Sequence, residues 1–461
     1  MEEQELPKGW INVFFNEIAD ATDFVANGSF ESIKNSVKFS DTERYAVMVR
    51  LKDYTSNWKE DFKYLTKDSY DFLSKSSLVA GDLFMTNVGA PGKLFLIPEL
   101  GIPMTIGPNG LRIRAKKITS NKFLAYYYQS GAGKKQINNI VSGTAQQKFN
   151  KTGLRFSTVL VPPLAEQNRI VEKLDKLFAS LEIVKTKLDA IPQLLKSFKQ
   201  AVLSQAVAGK LTNKWRLGKN LDKWEHLELN KVLPKGGIFD GPFGSNLKTA
   251  DYTLDGVRVI RLENIEHLCF LEDKETYVSE KKYQNLIRHT VRPGDIIFSS
   301  FISENIRACI LPEMKTQAIA KADCFCIRPI ETSINKEYLL FVLVSRRTYL
   351  QLVSKIHGAT RPRVNTSQLK AIDIPLPSLP EQEEIVRKVG SLFEKADIIE
   401  SAYNLVKSNI NNLPNSILTK AFSGDLVPQN LDDEPAIELL LRIKELQNLS
   451  IKVTRLTRVV H

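Results

Sequence analysis

The stretch Leu164–Leu211, LAEQNRIVEKLDKLFASLEIVKTKLDAIPQLLKSFKQAVLSQAVAGKL, decides how the chain is organised. Within it Ile170, Leu174, Leu177, Leu181, Val184, Leu188, Ile191, Leu195, Phe198 and Val202 follow one another at alternating steps of four and three, the a/d seam of a coiled coil. Glu166, Lys173, Asp175, Lys176, Glu182 and Lys185 fall off the seam, where charge suits a solvated face. Pro162-Pro163 and Gly209 bracket the helix with the expected breakers. The same seam returns at Ile385, Val389, Leu392, Ala396, Ile399, Tyr403, Val406, Ile410, Leu413 and Ile417, each at one offset from its counterpart (385 − 170 = 215). A single heptad stripe is also what an ordinary core helix shows. Two in identical phase point to long helices that partner each other. A rod of about 40 residues is about 60 Å long, which suits a spacer. Pro192 interrupts the first rod and Pro414 the second at non-equivalent places, and each is expected to kink or split its helix.

The repeat extends beyond the helices. Leu6-Pro-Lys-Gly-Trp10 opens one half and Leu221-Asp-Lys-Trp224 the other; Val49-Arg50-Leu51 answers to Ile260-Arg261-Leu262, and Gly81–Phe84 to Gly294–Ile297. Leu111–Arg114 matches Phe325–Arg328, and Gly143 matches Gly358. The order is globule, helix, globule, helix: an α+β chain with two mixed, mainly β domains joined by two long antiparallel coiled-coil helices, a pseudo-two-fold tandem repeat. Expected boundaries are 1–155 and 221–372 for the globules, 156–220 and 373–427 for the helical spacers, and 428–461 for a last helix and basic tail. Each globule shows one clear helix near its end, Lys122–Ser130 and Lys336–Ser354. Two diverged globules on one pseudo-symmetric frame suit an asymmetric, bipartite DNA sequence.

The 461 residues carry a formal charge of +12, which raises the expectation of a polyanionic partner. No stretch is long and apolar enough for a membrane span, and the acidic start MEEQELPKGW does not read as a signal peptide, so a cytoplasmic protein is expected. Cysteines 269, 309, 324 and 326 and the scattered histidines complete no metal site, and buried thiols in a reducing compartment account for them.

Three patterns invite a catalytic reading. Asp295 with Glu313 and Lys315 has a spacing compatible with a metal-dependent nuclease, but the other half has Asp82 with no lysine in the equivalent place. Gly89-Ala-Pro-Gly-Lys93 resembles a phosphate loop without its spacing or its Ser/Thr. No methyl-donor loop and no triad is present, so the chain reads as a non-catalytic binder. Binding candidates are more coherent. A glycine-led polar loop precedes each long helix, with Gly143, Thr144, Gln146, Gln147 and Lys148 in the first and Gly358, Thr360, Arg361, Arg363 and Asn365 in the second. Lys134 and Lys135 add charge beside the first loop. The turn Phe239–Lys248 presents Phe243, Ser245, Asn246 and Lys248, and Arg50, Lys52, Arg258 and Arg261 sit on strands from which basic side chains reach bases or phosphates. A scaffold whose basic globules bind acidic proteins, and a self-contained nuclease, remain the rival readings.

With these residues in place, the chain resembles the specificity subunit of type I restriction-modification enzymes, similar to the enterobacterial branch. The resemblance rests on PLAEQNRI (Pro163–Ile170) and PEQEEI (Pro380–Ile385) opening the helices, on QAVLSQAVAGKLTNKWR (Gln200–Arg216) and SILTKAFSGDL (Ser416–Leu426) closing them, and on the GPFGSNLK turn. It implies two target recognition domains, each reading one half of a bipartite site in double-stranded DNA. It also implies paired helices that set the gap and dock two methyltransferase subunits, with two restriction/translocase subunits completing the enzyme. S-adenosylmethionine, ATP and Mg²⁺ belong, on this resemblance, to the partners. The helix of about Pro435–Leu449 has no place in the motifs quoted.

Overall fold

A computed structural model describes residues 6–59, 61–144, 146–354 and 362–446. It divides into two compact units, Met1–Lys187 with Val406–His461, and Leu188–Leu405. In the first, strand Ile11–Phe14 pairs antiparallel with Thr158–Val161. A four-stranded sheet runs in the order Ala19–Asp23, Gly110–Ala115, Leu83–Thr86, Leu94–Leu96, and a five-stranded sheet in the order Phe39–Ser40, Lys63–Leu65, Ala46–Val49, Met104–Ile106, Ser77–Leu78. The second unit has the same set: Glu225–Glu228 with Asp373–Leu376; then Ile238–Phe239, Cys324–Ile327, Ile296–Ser299, Ala308–Ile310; then Tyr252–Thr253, Tyr277–Val278, Val257–Ile260, Ala318–Ala320, Thr290–Val291. In each five-stranded sheet one neighbouring pair is parallel, Ala46–Val49 with Met104–Ile106 and Val257–Ile260 with Ala318–Ala320. The strands are short and apolar because both faces are covered: Ala46–Val49, Leu83–Thr86, Val257–Ile260 and Ile296–Ser299 are buried throughout.

Each globule is fastened to its outgoing spacer helix by the same buried contact. Trp10 donates its indole N–H to both carboxylate oxygens of Glu166 at 3.2 and 3.1 Å, and Trp224 donates to Glu381 Oε2 at 3.1 Å. Glu166 and Glu381 are each 1% exposed, so Glu166 does not lie on a solvated face as its position off the seam implied. Burial pushes the Glu166 carboxyl upward, opposed by the indole and by Arg169. Glu381 also accepts from Thr212 Oγ1 at 2.6 Å and from Arg216. The glutamine that follows does parallel work. Gln167 Nε2 donates to the carbonyls of Ile118 and Pro162 at 2.9 and 3.0 Å, and Gln382 Nε2 to that of Pro377 at 2.8 Å. Their Oε1 atoms accept from Thr119 Oγ1 and from the Asn335 backbone N–H at 2.7 and 2.8 Å. The Glu-Gln pair opening each helix is therefore a polar knot inside the fold, satisfied as burial demands.

The first spacer is two helices, Leu164–Asp189 and Ile191–Val207, with Pro192 in the opening turn of the second, where no intrahelical bond needs its missing N–H. Pro414, by contrast, lies inside one continuous helix, Leu379–Phe422. In the second unit the partners run antiparallel: Lys199 meets Asp397 at 2.8 Å, Leu211 O accepts from Lys388 Nζ at 2.9 Å, and Thr212 meets Glu381. The seam is not buried along its length. Ile170, Leu174, Leu181, Ile385, Val389, Ala396 and Tyr403 are buried and Leu177, Leu188 and Leu392 half-buried, but Val184 and Ile399 are 41% and 51% exposed. The reason is that helix ends pack into globule cores with a face wider than a/d. Ile170 and Leu174 join Phe123, Tyr127, Leu418, Ala421 and Phe422, while Ile385 and Val389 join Tyr338, Leu339, Val202, Leu203 and Ala206. The single helix expected near each globule's end is a pair, Asn121–Gln129 with Gly131–Ile140 and Lys336–Val344 with Arg346–Val353. Ser130 and Ser345 break them by capping the second helix, through Gly133 N at 3.2 Å and Thr348 N at 3.4 Å.

The last helix also finds its place. Residues 436–446 are helical, Ala436 N donates to Gly9 O at 3.1 Å, and Ala436, Leu439 and Leu440 are buried in the first globule's core. Arg169 pairs with Asp433 at 2.6 Å beside it. A test of the knot follows from its burial. Glu381→Ala strands the donors of Thr212, Arg216 and Trp224 and should cost about 3 kcal/mol in denaturant unfolding, whereas Glu383→Ala, on the exposed side of the same turn, should change stability by under about 0.5 kcal/mol.

Candidate nucleic-acid interface

The two glycine-led loops land on the same turn of their globules. In the first unit Val88 bridges Lys148, Gly89 N donates to Gln147 O at 3.0 Å, and Phe149 N to Asn87 O at 3.0 Å. In the second Phe301 bridges Arg363, Ile302 N donates to Pro362 O at 3.1 Å, and Val364 N to Ser300 O at 2.9 Å. Lys148 and Arg363 hold the same register position (363 − 148 = 215) and both are exposed. The first loop is closed by reciprocal backbone bonds between Ser142 and Lys148 at 2.8 and 2.9 Å. Gly143 makes that closure possible: its φ is 95°, and a Cβ there would sit 2.5 Å from Gln146 O. Thr144, Gln146, Gln147 and Lys148 project from it into solvent. Gly358, Thr360 and Arg361 lie outside the described residues. Asn365 is engaged as a helix cap, its Oδ1 accepting from Gln368 N at 2.8 Å, as Asn150 caps Gly153.

In the second unit several candidates converge on the turn 321–324. Gly241 packs so closely that a Cβ would lie 2.1 Å from the Lys321 carbonyl carbon, which holds the 240–248 loop against this turn with Phe243, Ser245, Asn246 and Lys248 exposed. Arg363 lies 4.4 Å over the Phe301 ring and 3.5 Å from Asp323, which in turn accepts from Ser300 Oγ at 2.7 Å. Arg261 and Lys321 flank one tyrosine, at 5.6 and 5.0 Å from the Tyr252 ring, and Lys321 donates to its hydroxyl. Tyr252, Phe301 and Lys321 went unnoticed in the sequence because only the sheet order brings them to Arg261 and Arg363.

Arg258 does not join them. It is 5% exposed, donates to the carbonyls of Glu272 and Lys274 at 3.1 Å each, and pairs with Glu275 at 3.0 Å. On a strand buried on both faces its guanidinium serves the segment over it and cannot reach a groove. In the first unit Arg50 is bound to the buried Asp53 at 2.7 Å and to the Asp61 carbonyl, and Lys52 to Asp61 at 2.5 Å on the surface. Lys134 and Lys135 are exposed on the helix Gly131–Ile140, about 10 Å before the loop it leads into.

The catalytic-looking patterns have structural explanations. Asp295 takes both Nε and Nη2 of Arg328 at 2.8 and 2.6 Å and accepts the Arg292 N–H, and Asp82 does the same with Arg114 and Val79 N. Both aspartates brace a turn. The Gly89–Lys93 stretch is a hairpin turn held by Thr86, whose hydroxyl donates to Ala90 O and accepts from Lys93 N at 3.0 Å. Among the described residues no group of three or more His, Cys, Asp or Glu is placed to hold a metal, and no helix is long and apolar enough to cross a membrane.

Comparison with known proteins agrees with this duplicated plan. The family model for the type I restriction modification DNA specificity domain matches residues 7–193 and 247–408. The chain is 30% identical to the type I restriction enzyme EcoKI specificity subunit of Escherichia coli K12 over 332 residues, covering 70% of this chain and 69% of that one. It is 31% identical to the EcoDI specificity subunit of Escherichia coli over 318 residues, 65% and 69% of the two chains. In fold it is similar to the HsdS subunit from Thermoanaerobacter tengcongensis, with a TM-score of 0.60 at 18% identity, over 92% of this chain and 99% of that one.

One titration reports on the converging turn. Burial raises the Asp240 carboxyl to about 6, with the Asp323 charge adding to the shift and the backbone N–H groups of Gly241 and Asp323 opposing it. A carboxyl whose folded pKa exceeds its unfolded value penalises the folded state as pH rises, from the unfolded value near 3.8 until the folded group is ionised near 6. Asp240→Asn, which keeps an acceptor for Gly241, should therefore raise the thermal midpoint at pH 7.5 and lose that advantage at pH 4, a difference read by thermal melting at the two pH values.

Proposed function

Because the chain belongs to the type I restriction modification DNA specificity family, we propose that it is the DNA-reading subunit of a type I restriction-modification complex, with each globule reading one half of an asymmetric, two-part site. The observation that carries this reading is the placement of Lys148 and Arg363 at one register position on equivalent exposed turns. A cation repeated on a repeated frame suits a repeated ligand, the phosphate backbone. Around it the first globule offers Gly143, Thr144, Gln146 and Gln147, with Lys134 and Lys135 nearby, and the second offers Phe243, Ser245, Asn246, Lys248 and Arg261. The surplus charge of +12 suits such a partner, and the family match favours it over the acidic-protein scaffold.

In this reading 1–155 and 221–372 act as the recognition domains, and 156–220 and 373–427 as the spacers that dock two methyltransferase and two restriction/translocase subunits, with 428–461 as a C-terminal helix and basic tail. The exposed apolar positions Val184, Leu194, Phe198, Ile398 and Ile399 on the spacers support docking there. The chain itself is non-catalytic; S-adenosylmethionine, ATP and Mg²⁺ act on the partner subunits, in the cytoplasm.

Mapping methylated bases in cells that carry this chain with its methyltransferase subunit tests the reading. A two-part asymmetric motif that vanishes when the chain is deleted is expected, and methylation indifferent to the chain overturns it. In vitro, Lys148→Ala and Arg363→Ala should each weaken specific and random duplexes alike and lower the slope of log affinity against log salt by about one. The isolated chain should neither cut nor methylate DNA.

A further inference from the structure

The two globules are each other's control, because one frame has been built twice with different side chains. The parallel strands Ala46–Val49 and Met104–Ile106 end where Gly107 N donates to Val49 O at 2.9 Å; Val257–Ile260 and Ala318–Ala320 end where Lys321 N donates to Ile260 O at 2.9 Å. Gly107 and Lys321 are therefore the same place. Arg50 and Arg261, the residues after the neighbouring strands, are cationic in both frames, and so are Lys148 and Arg363. The frame does not need a side chain at the place of Lys321, since the first globule folds with glycine there.

The tyrosine that holds Lys321 is just as particular to the second globule. Tyr252 pairs with Val278, and Thr253 with Tyr277; in the first globule Phe39 pairs with Leu65, and Ser40 with Tyr64. Tyr252 and Phe39 are equivalent, so the hydroxyl is present only where the lysine is. That hydroxyl accepts from Lys321 Nζ, while the ring lies 5.0 Å from the ammonium and 5.6 Å from Arg261. Among the described residues no carboxylate lies within ion-pair distance of Lys321, whereas Arg261 has Glu263 at 3.1 Å. The Lys321 side chain is partly buried and aimed by the tyrosine hydroxyl rather than by a carboxylate.

We propose that Lys321, positioned by Tyr252, is a sequence-determining residue of the second globule and donates to a guanine edge in its half of the site. The inference rests on the DNA-reading function proposed above and goes beyond it in separating roles. The cation repeated on the exposed turns, Lys148 and Arg363, positions the duplex through phosphates, and the cation present in one frame only discriminates a base. A lysine donor matches the O6 and N7 acceptors of guanine in the major groove.

The test imports the first globule's own residues at places where that fold tolerates them. Complexes of partner methyltransferase subunit with wild type, Lys321→Gly, Lys321→Met, Lys321→Arg or Tyr252→Phe are expressed in cells and their methylated motifs mapped. Affinity against salt is measured on purified complexes. The proposal expects one G·C pair, in one half-site only, to relax by tenfold or more with Lys321→Gly and Lys321→Met, at an unchanged salt slope. Tyr252→Phe should relax the same pair to a smaller degree, and Lys321→Arg should restore the guanine. An unchanged motif with the slope lowered by about one makes Lys321 a phosphate contact and overturns the proposal, as does a motif and slope that both stay as in wild type. A wild-type complex that leaves no two-part motif overturns the DNA-reading function itself, and this inference with it.

Discussion

The buried bond from a tryptophan indole to a glutamate carboxylate, made once in each unit, is the constraint on which the remaining structure hangs. A carboxylate 1% exposed is costly unless its lone pairs are filled, and here filling them ties three pieces of chain together. At Glu381 these are the end of the first spacer, through Thr212 and Arg216; the entry to the second globule, through Trp224; and the start of the second spacer, which carries the glutamate. At Glu166 Trp10 enters the same way and Arg169 binds Asp433 alongside. Incoming helix, globule and outgoing helix are thereby held at one point. With that point set, the strands that follow deliver their ends, and the loops they carry, to fixed places.

How the two units differ at those places is informative about function. Residues that brace the frame recur as pairs: Asp82 with Arg114 and Asp295 with Arg328, Ser130 and Ser345, Asn150 and Asn365. Residues at the open edge divide into repeated cations and unrepeated groups. A protein that must grip a uniform polymer and discriminate its sequence has to keep the first kind and vary the second.

The duplication and the helices were legible in the sequence because a heptad is a dense local pattern and survives divergence. The β nature of the globules was legible for the same reason, from apolar runs between turn residues. What stayed hidden depended on partners far along the chain. Glu166 looked solvated because its partner Trp10 lies 156 residues away. Arg258 looked available because the strand pattern does not reveal that a segment passes over it and takes its N–H groups. Lys321 follows the apolar strand Ala318-Ile-Ala320 and gives no local signal at all. Its surroundings exist only once a sheet order of non-consecutive strands sets Tyr252, Arg261 and Arg363 around one turn. The even seam failed in the middle of the spacers, at Val184 and Ile399, because spacing reports which side chains share a face and not whether that face is covered.

The second unit is one unbroken stretch of chain, whereas the first is assembled from both ends of it. Leu418, Ala421, Phe422, Ala436, Leu439 and Leu440 fill the core around Phe123 and Tyr127, yet they are synthesised some 300 residues later (422 − 123 = 299). During translation the first globule must therefore wait, its apolar pocket open, while the second is made and can already close on itself. Loop closure over so long a separation is a late step. A chain stopped short of residues 436–446 lacks Ala436, Leu439 and Leu440 and leaves the first unit's core open, while the residues of the second unit are all in place.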